Sequence, residues 1–473
     1  MKDKLFILMI ILLFSCGKNK TEDDSWENMF DGQSIGNWKV VTGSTEYLSE
    51  NAIETAEFIV EDGCITGIST LNSPNTFLTT GEEYTNFVLE YEMKMDEGLN
   101  SGVQVRSLSM PDYKDGAVYG LQVECDDSKR AWTGGIYDEA RNGWRYPLEY
   151  NQKAKNAYKR GEWNKFRVLA YNNHIITWVN DIACANLVEE NTETGFIALQ
   201  VHMIMDSTLA GKKTQWRNIR IRPADETDFA EFGKVDAPEV SYLKNELTEN
   251  EKQQGWKLIW DGKTKNGWRG AKLDSFPKEG WIIKDGELTV IESGGMESAF
   301  GGDIVTTQYY RNFILEADFK FTEGANSGIK YFVDTELNKG EGSAIGCEFQ
   351  ILDDLNHPDA KLGVKGNRTL GSLYDLITAN AQFYNPEIQG KGLNNIGPWN
   401  RARIVVNGNN VEHYLNGIKI VEYERGTQEW RALVAYSKYV DWPDFGELER
   451  GNILLQEHGD EVSYKNIKIL ELP

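Results

Sequence analysis

The chain has 473 residues, including 14 Trp and 21 Tyr, and its 73 Asp and Glu against 50 Lys and Arg give a formal net charge of -23. That balance repels nucleic acid and anionic lipid, so partners are expected to be neutral or to bring cations. The length suggests two or three domains, and no stretch after the first residues is apolar for long enough to cross a membrane as a helix.

At the start, Lys2 and Lys4 precede an unbroken apolar run from Leu5 to Phe14 that ends in Ser15 and Cys16, the layout of a signal-peptide core. The string Leu13-Phe14-Ser15-Cys16-Gly17 resembles the lipobox of bacterial lipoproteins, so residues 1–16 are expected to be the signal and Cys16 the lipidated N-terminus. Residues 17–25, with Glu22, Asp23 and Asp24, are too polar to fold and read as a tether. They resemble the export tag that sends some Bacteroidetes lipoproteins to the cell surface. The expected location is the outer membrane, on its periplasmic or outer face, with the lipid as the only membrane contact. None of Cys64, Cys125, Cys184 and Cys347 has zinc-ligand spacing. Cys64, Cys125 and Cys347 lie in strand-like runs where buried free thiols are the default, and no disulfide is expected.

Segments then recur in one order, shifted by somewhat over two hundred residues, about the size of a large β domain. Trp26 to Trp38 parallels Trp256 to Trp268, and the turn Asp62-Gly63 parallels Asp285-Gly286. Asn86-Phe87-Val88-Leu89-Glu90 matches Asn312-Phe313-Ile314-Leu315-Glu316, followed by Asn100-Ser101-Gly102 against Asn326-Ser327-Gly328. Gly135-Ile136-Tyr137-Asp138 matches Ser372-Leu373-Tyr374-Asp375, and Trp163-Asn164 matches Trp399-Asn400. Gln200-Val201-His202 against Gln456-Glu457-His458, and Asn218 to Ile221 against Asn466 to Ile469, close the copies. One fold is therefore used twice, at 26–223 and 248–473. The acidic stretch 224–247 lacks strand alternation and reads as a linker, ending where Thr248 and Glu251 form a capping-box pattern for a short helical turn.

Within each copy, alternating runs such as Phe87 to Met95, Phe166 to Val179, Phe313 to Phe321 and Arg403 to Leu415 are bounded by Gly, Asn and Asp. These are antiparallel strands of a sandwich or jelly roll, with tight hairpins at Asn180-Asp181 and Asn416-Gly417. Helical periodicity is nearly absent, so the class is all-β.

These strings resemble one family in both copies: the 3-keto-disaccharide hydrolase domain, a concanavalin A-like (laminin-G-like) jelly roll. The carrying residues are the openings Trp26 to Gly32 and Trp256 to Gly262, the central Asn-Ser-Gly, the strand Gly346 to Asp354, the Trp-Asn pair, the Gln-x-His, and the closing Asn-Ile-x-Ile. The resemblance implies two tandem jelly-roll β-sandwiches and a carbohydrate substrate. The copies differ. The second keeps Glu348, Gln350, Asp353 and Asp354, then His357 and Asn367-Arg368-Thr369. In the first, Gln122 and Glu124 have exchanged places, the histidine-bearing loop is missing, and Trp132 to Arg145 resembles a different branch of the family.

Period two sets which side chains share a face. Glu348 and Gln350 point one way while Cys347, Phe349 and Ile351 point the other; Gln456 falls with His458, Gln122 with Glu124 and Asp126, and Gln200 with His202. Polar side chains repeated on one face argue for a wet, concave groove, against the alternative of a solvated outer face. His413 alternates with Val411 and Leu415 and suits a packed histidine, and His174 reads as a turn residue.

A ketone at sugar C3 acidifies the C2 hydrogen, so a base can remove it and expel the C1 oxygen by β-elimination, after which water adds to the enone. That route needs a base, a proton donor and a positive group for the enolate. His458, Glu348, Asp353, Asp354 and His357 are the catalytic candidates. Gln350, Gln456, Arg368, Tyr374 and Lys438 are the binding candidates in the second copy, and Gln122, Glu124, Arg106, Tyr137 and His202 those in the first. No cofactor is expected with certainty, although a divalent cation on Asp and Glu oxygens would also serve. Three functions stay open: cleavage of 3-keto-glycosides, with a separate sugar 3-dehydrogenase supplying the ketone because no Gly-rich dinucleotide fingerprint is present; noncatalytic carbohydrate binding; and a conventional two-carboxylate glycosidase.

Overall fold

The structure is a computed structural model that describes residues 25–43, 55–297, 300–340, 342–391 and 397–473. The signal, lipobox and acidic-tether expectations for residues 1–24 lie outside the described residues. Among those described, no helix is long and apolar enough to cross a membrane.

Each copy is a sandwich of two sheets whose pairings are antiparallel but for one short edge strand of the first copy. The inner sheet of the first comprises β1 (Lys39–Thr42), β2 (Thr76–Tyr84), β3 (Asn100–Leu108), β4 (Tyr119–Asp126), β5 (Ile136–Glu139), β6 (Gly143–Tyr146) and β7 (Gly195–Val201), ordered β6-β5-β4-β3-β7-β2-β1. That of the second comprises β8 (Trp268–Gly270), β9 (Ile304–Thr306), β10 (Asn326–Asp334), β11 (Ile345–Leu352) and β12 (Asn452–Leu455), ordered β8-β9-β12-β10-β11. Outer sheets of nine and eight strands cover them. The non-sequential strand orders are those of the expected jelly roll.

Alternation does the sorting. Leu121, Val123 and Cys125 of β4 and Cys347, Phe349 and Ile351 of β11 enter the core with Leu89, Tyr91 and Phe319 of the outer sheets. Their intervening neighbours Gln122, Glu124, Glu348 and Gln350 are left on the opposite face. Burying each large apolar side chain contributes roughly 1.5–3 kcal/mol. Cys64, Cys125, Cys184 and Cys347 are buried and free.

The hairpins follow the turn chemistry of the sequence. Asn180 and Asp181 have φ of 49° and 64°, and Asn416 and Gly417 have 50° and 82°, the paired positive angles of a two-residue type I′ turn. The run Phe166 to Val179 is itself a hairpin, split at Asn172, and His174 begins its second strand with its ring 4.6 Å from that of Phe229, rather than sitting in the turn.

The linker is more ordered than its composition implies. Asp225 caps α1 (Glu226–Phe232), Glu239–Ser241 adds a parallel strand to Ile182–Val188 of the first copy, and Thr248 with Glu251 caps α2 (Glu249–Gln254) as a capping box. A three-residue strand is too short to show alternation, which is why none was visible. Tyr242 then lies between the two copies, with the Arg145 guanidinium 3.3 Å from its ring and that of Arg401 3.8 Å away. Arg401 also donates to the Ser241 carbonyl at 2.8 Å. Between the outer strand Ile418–Glu424 and β12, residues 425–451 of the second copy form an insertion with α3 (Gln428–Ala435), capped by Thr427. No helix is expected here from the sequence; the short apolar stripe of α3 is Trp430, Leu433 and Val434.

Candidate active site

The Asn-Ser-Gly motif explains itself on β10. Ser327 donates to the carbonyl of Gln456 at 2.8 Å, tying β10 to the strand end that carries His458. Gly328 is required because the Glu348 side chain lies across it, where an added Cβ would meet Oε1 at 2.2 Å. Asn326 sits with its Nδ2 3.3 Å from His458 Nε2. The Ser and Gly roles recur in the first copy, where Ser101 donates to the Gln200 carbonyl at 2.6 Å and Gly102 lies under Gln122, whereas Asn100 donates to Glu124 at 2.5 Å in place of facing a histidine.

In the second copy these residues open into a cleft of about 270 Å³ lined by Glu348, Gln350, Gln456, His458, Asn326 and Lys330, with Tyr374, Lys438, Tyr439 and Trp442 on the other side. Glu348 is buried and faces Lys330 across the strands, with 3.6 Å between Oε2 and Nζ. Burial raises its carboxyl above the usual range, against the pull of Lys330 and Lys438. The Gln350 amide, oriented to satisfy its neighbours, donates to Glu348 Oε1 at 3.1 Å. His458 Nδ1 stands 4.0 Å from Asp460 Oδ2. Lys438 is solvent-accessible, with its Nζ 4.0 Å from the Tyr374 ring centre. The Tyr374 hydroxyl donates to Asp359 at 2.6 Å. Thus Glu348, Gln350, Gln456, His458, Tyr374 and Lys438 line one cleft.

Other candidates do not. Asp353 accepts from the backbone of Gly324, Leu355 and Asn356, and although burial works against it these bonds hold its carboxyl below the usual range. It closes a loop and is unsuited to donate a proton. Asp354 accepts from Leu370 N at 2.7 Å and pairs with Lys391 at 2.8 Å, again as scaffolding. Arg368 is engaged by Asp359 at 2.9 Å and Asp375 at 2.6 Å and does not line the cleft. His357 lies beside the cleft, its ring 6.2 Å from that of His458, but its Nδ1 accepts from Asp359 N to cap a turn. His413 is a packed histidine, bonded to the Tyr331 hydroxyl at 2.7 Å and lowered to about 4 by burial. Arg106 is also corrected: it occupies a bulge with φ of 48°, and its guanidinium is buried on the carbonyls of Thr85 and Asn172 and on Asn86.

In the first copy Gln122 accepts from Gln104 at 2.8 Å and donates to Glu124 at 3.0 Å. Burial, then the charge of Asp126, pushes Glu124 up to about 7, and burial does the same to Glu139. Tyr137 stands opposite Gln122. His202 bonds the Met203 carbonyl at 2.7 Å, and burial lowers its pKa.

Lys330 and Asn326 escaped the sequence reading although period two along β10 places them with Gly328. Tyr439 and Trp442 had no such signal, because they belong to the insertion that the first copy lacks. Among the described residues no three His, Cys, Asp or Glu side chains cluster as a metal site would require.

A family model described as the 3-keto-alpha-glucoside-1,2-lyase-like domain matches residues 25–222 and again 255–470. A 3-keto-disaccharide hydrolase of Bacteroides thetaiotaomicron is 37% identical over 235 residues, which cover 46% of this chain and 78% of that protein. Two solved structures from Parabacteroides distasonis, each described as a candidate glycosyl hydrolase, are also similar. One is 30% identical with a TM-score of 0.41, covering 49% of this chain and 100% of that one. The other is 26% identical with a TM-score of 0.33, covering 46% and 99%.

Proposed function

The chain belongs to the 3-keto-alpha-glucoside-1,2-lyase-like domain family twice over, and from that premise we propose that its second copy cleaves the glycosidic bond of 3-keto-glycosides by β-elimination followed by hydration. The observation that carries this reading is the composition of the cleft. One buried carboxyl with a raised pKa, Glu348, meets an imidazole and two ammonium groups. A two-carboxylate glycosidase would need a second carboxylate across the sugar; among the described residues only Glu297, exposed at the rim, also lines the cleft.

In the proposed reaction His458 removes the C2 proton that the ketone has acidified, since a neutral imidazole is suited to that task near pH 7. Glu348, kept protonated to higher pH than an ordinary carboxylic acid, delivers a proton to the departing C1 oxygen. Lys330 supplies the positive field for the enolate, while Gln350 and Gln456 offer amides to sugar hydroxyls. A separate dehydrogenase would supply the ketone. The relative from Bacteroides thetaiotaomicron, whose name specifies a 3-keto-disaccharide, supports this substrate class.

The test is to incubate the chain from Trp26 onward with a 3-keto-glucoside and with its unoxidised parent. Release of aglycone from the keto sugar alone is expected; equal release from both would select the conventional glycosidase. The proposed site of action is the outer membrane, with lipid on Cys16. Cys16→Ser should move the protein out of the membrane fraction, and its persistence there would overturn that assignment.

A further inference from the structure

We propose that Lys438 is a covalent catalyst: its ε-amino group condenses with the sugar ketone, and the resulting iminium draws the electrons released from C2–H that expel the C1 oxygen. This rests on the 3-keto reading above.

Two lysines line the cleft, and their surroundings divide them. Lys330 is buried, donates to Ser343 Oγ and to the Ala344 carbonyl, and lies 3.6 Å from Glu348. Its ammonium is fully engaged. Lys438 is accessible, and its Nζ makes no ion pair or hydrogen bond among the described residues; it rests 4.0 Å from the Tyr374 ring and 5.3 Å from that of Tyr439. Its backbone is nonetheless fixed, because Lys438 N donates to Asp375 Oδ2 at 2.8 Å and Asp375 is held by Arg368 at 2.6 Å. The crowding of the cleft lowers its pKa, and the charges of Lys330 and Arg368 add to that effect while Glu348 opposes it. An accessible amine on a fixed backbone, beside other cations, is the arrangement that activates a lysine toward carbonyl carbon.

The chemistry balances without an outside reagent. The neutral amine adds to C3, and the carbinolamine takes one proton and loses water to give the protonated imine. His458 takes the C2 proton, leaving an enamine. The enamine electrons expel the C1 oxygen, which leaves as the alcohol with a proton from Glu348. Water then hydrolyses the conjugated iminium to the enone and frees Lys438. An unoxidised sugar has no electrophile for the amine, so the same residue also enforces the requirement for the ketone.

The chain from Trp26 onward is mixed with a 3-keto-glucoside and cyanoborohydride, digested and mapped by mass. The expected result is a reduced sugar adduct on the Lys438 peptide, and loss of turnover on the order of a hundredfold or more in Lys438→Arg, which keeps the charge but cannot form the imine. Aglycone release by the wild type without any adduct, or an adduct on Lys330 instead, overturns the covalent role and leaves the keto-sugar reading standing. Lys438→Arg turnover within a few-fold of wild type overturns it as well. A wild-type chain that neither releases aglycone nor is trapped overturns both. Trapping of the wild type needs no variant, so misfolding of Lys438→Arg would not blur the outcome.

Discussion

In the first copy Gln104 faces Gln122 across the strands and Glu124 faces Gly102; at the matching positions of the second, Lys330 faces Glu348 and Gln350 faces Gly328. The backbone platform is the same, yet the carboxyl has moved two residues along its strand, roughly 7 Å, and the lysine has become a glutamine. In the first copy the carboxyl is bonded by the amides of Asn100 and Gln122, with Arg130 3.9 Å away at the edge. In the second it has a buried ammonium beside it. Gln200 of the first copy is buried, and among the described residues neither its amide atoms nor Oε1 of its counterpart Gln456 finds a hydrogen-bond partner. The second also carries the 425–451 insertion with Lys438, Tyr439 and Trp442, where the first has only the short connection 189–194. A repeated scaffold can thus set a carboxyl beside an ammonium in one copy and within a neutral amide network in the other, by exchanges on alternate residues while the core side stays apolar, with Leu121, Val123 and Cys125 against Cys347, Phe349 and Ile351.

The sharpest break of this comparison is in turnover. His458→Ala should cost on the order of a hundredfold or more, as removal of a general base does, while keeping the wild-type melting temperature. Glu348→Gln should lose a comparable factor, since an amide cannot deliver the proton to the leaving oxygen, and should likewise keep the wild-type melting temperature. The counterpart His202→Ala should have little effect on rate. If His202→Ala abolishes turnover and His458→Ala does not, the first copy is the enzyme and the comparison is inverted.

A smaller effect is expected when the copies are separated. Fragments Trp26–Pro223 and Thr248–Pro473 each carry their own two sheets and should melt cooperatively. The second leaves out Ser241 and Tyr242, which Arg401 contacts through a 2.8 Å bond and its guanidinium face. A fragment that begins at Lys234 should therefore melt several degrees above one that begins at Thr248. Equal midpoints would show that the linker contributes nothing to the second copy.

Much of this was legible in the sequence. The duplicated strings, the Asn-Gly and Asp-Gly turns and the alternation of β11 led to two sandwiches and to Glu348, Gln350, Gln456 and His458 on one face. What failed has particular causes. Asp353, Asp354 and Arg368 are polar residues in a loop, and only the closed loop reveals that backbone N–H groups and ion partners consume them. Arg106 sits within a bulge, where the extra residue breaks the strand's alternation and turns its side chain onto buried carbonyls. Lys330 obeys the alternation on β10, but it lies two places beyond Gly328 and outside the Asn-Ser-Gly string, so no motif marks it.

The finest test imports one residue of the second copy into the first. Glu124 of the first copy matches Gln350, so Glu124→Gln makes the two alike at that position. Burial raises the Glu124 carboxyl from 4.5 to about 7, so the folded first copy binds a proton that the unfolded chain has released over that range. Its contribution to stability is therefore full below 4.5 and is lost as pH rises toward about 7. The fragment Trp26–Pro223 should melt higher at pH 5 than at pH 8, with Glu139, raised likewise to about 7, contributing a similar slope. Glu124→Gln should remove about one proton from the linkage, or roughly 1.4 kcal/mol per pH unit, and raise the midpoint at pH 8 by a few degrees, at roughly 2–4 °C for each kcal/mol. The variant amide can still accept from one of Asn100 and Gln122 but not both, so part of the gain is offset. If the slope between pH 5 and pH 7 is the same in the wild type and the variant, Glu124 is ionised in the fold and the neutral-network description of the first copy falls.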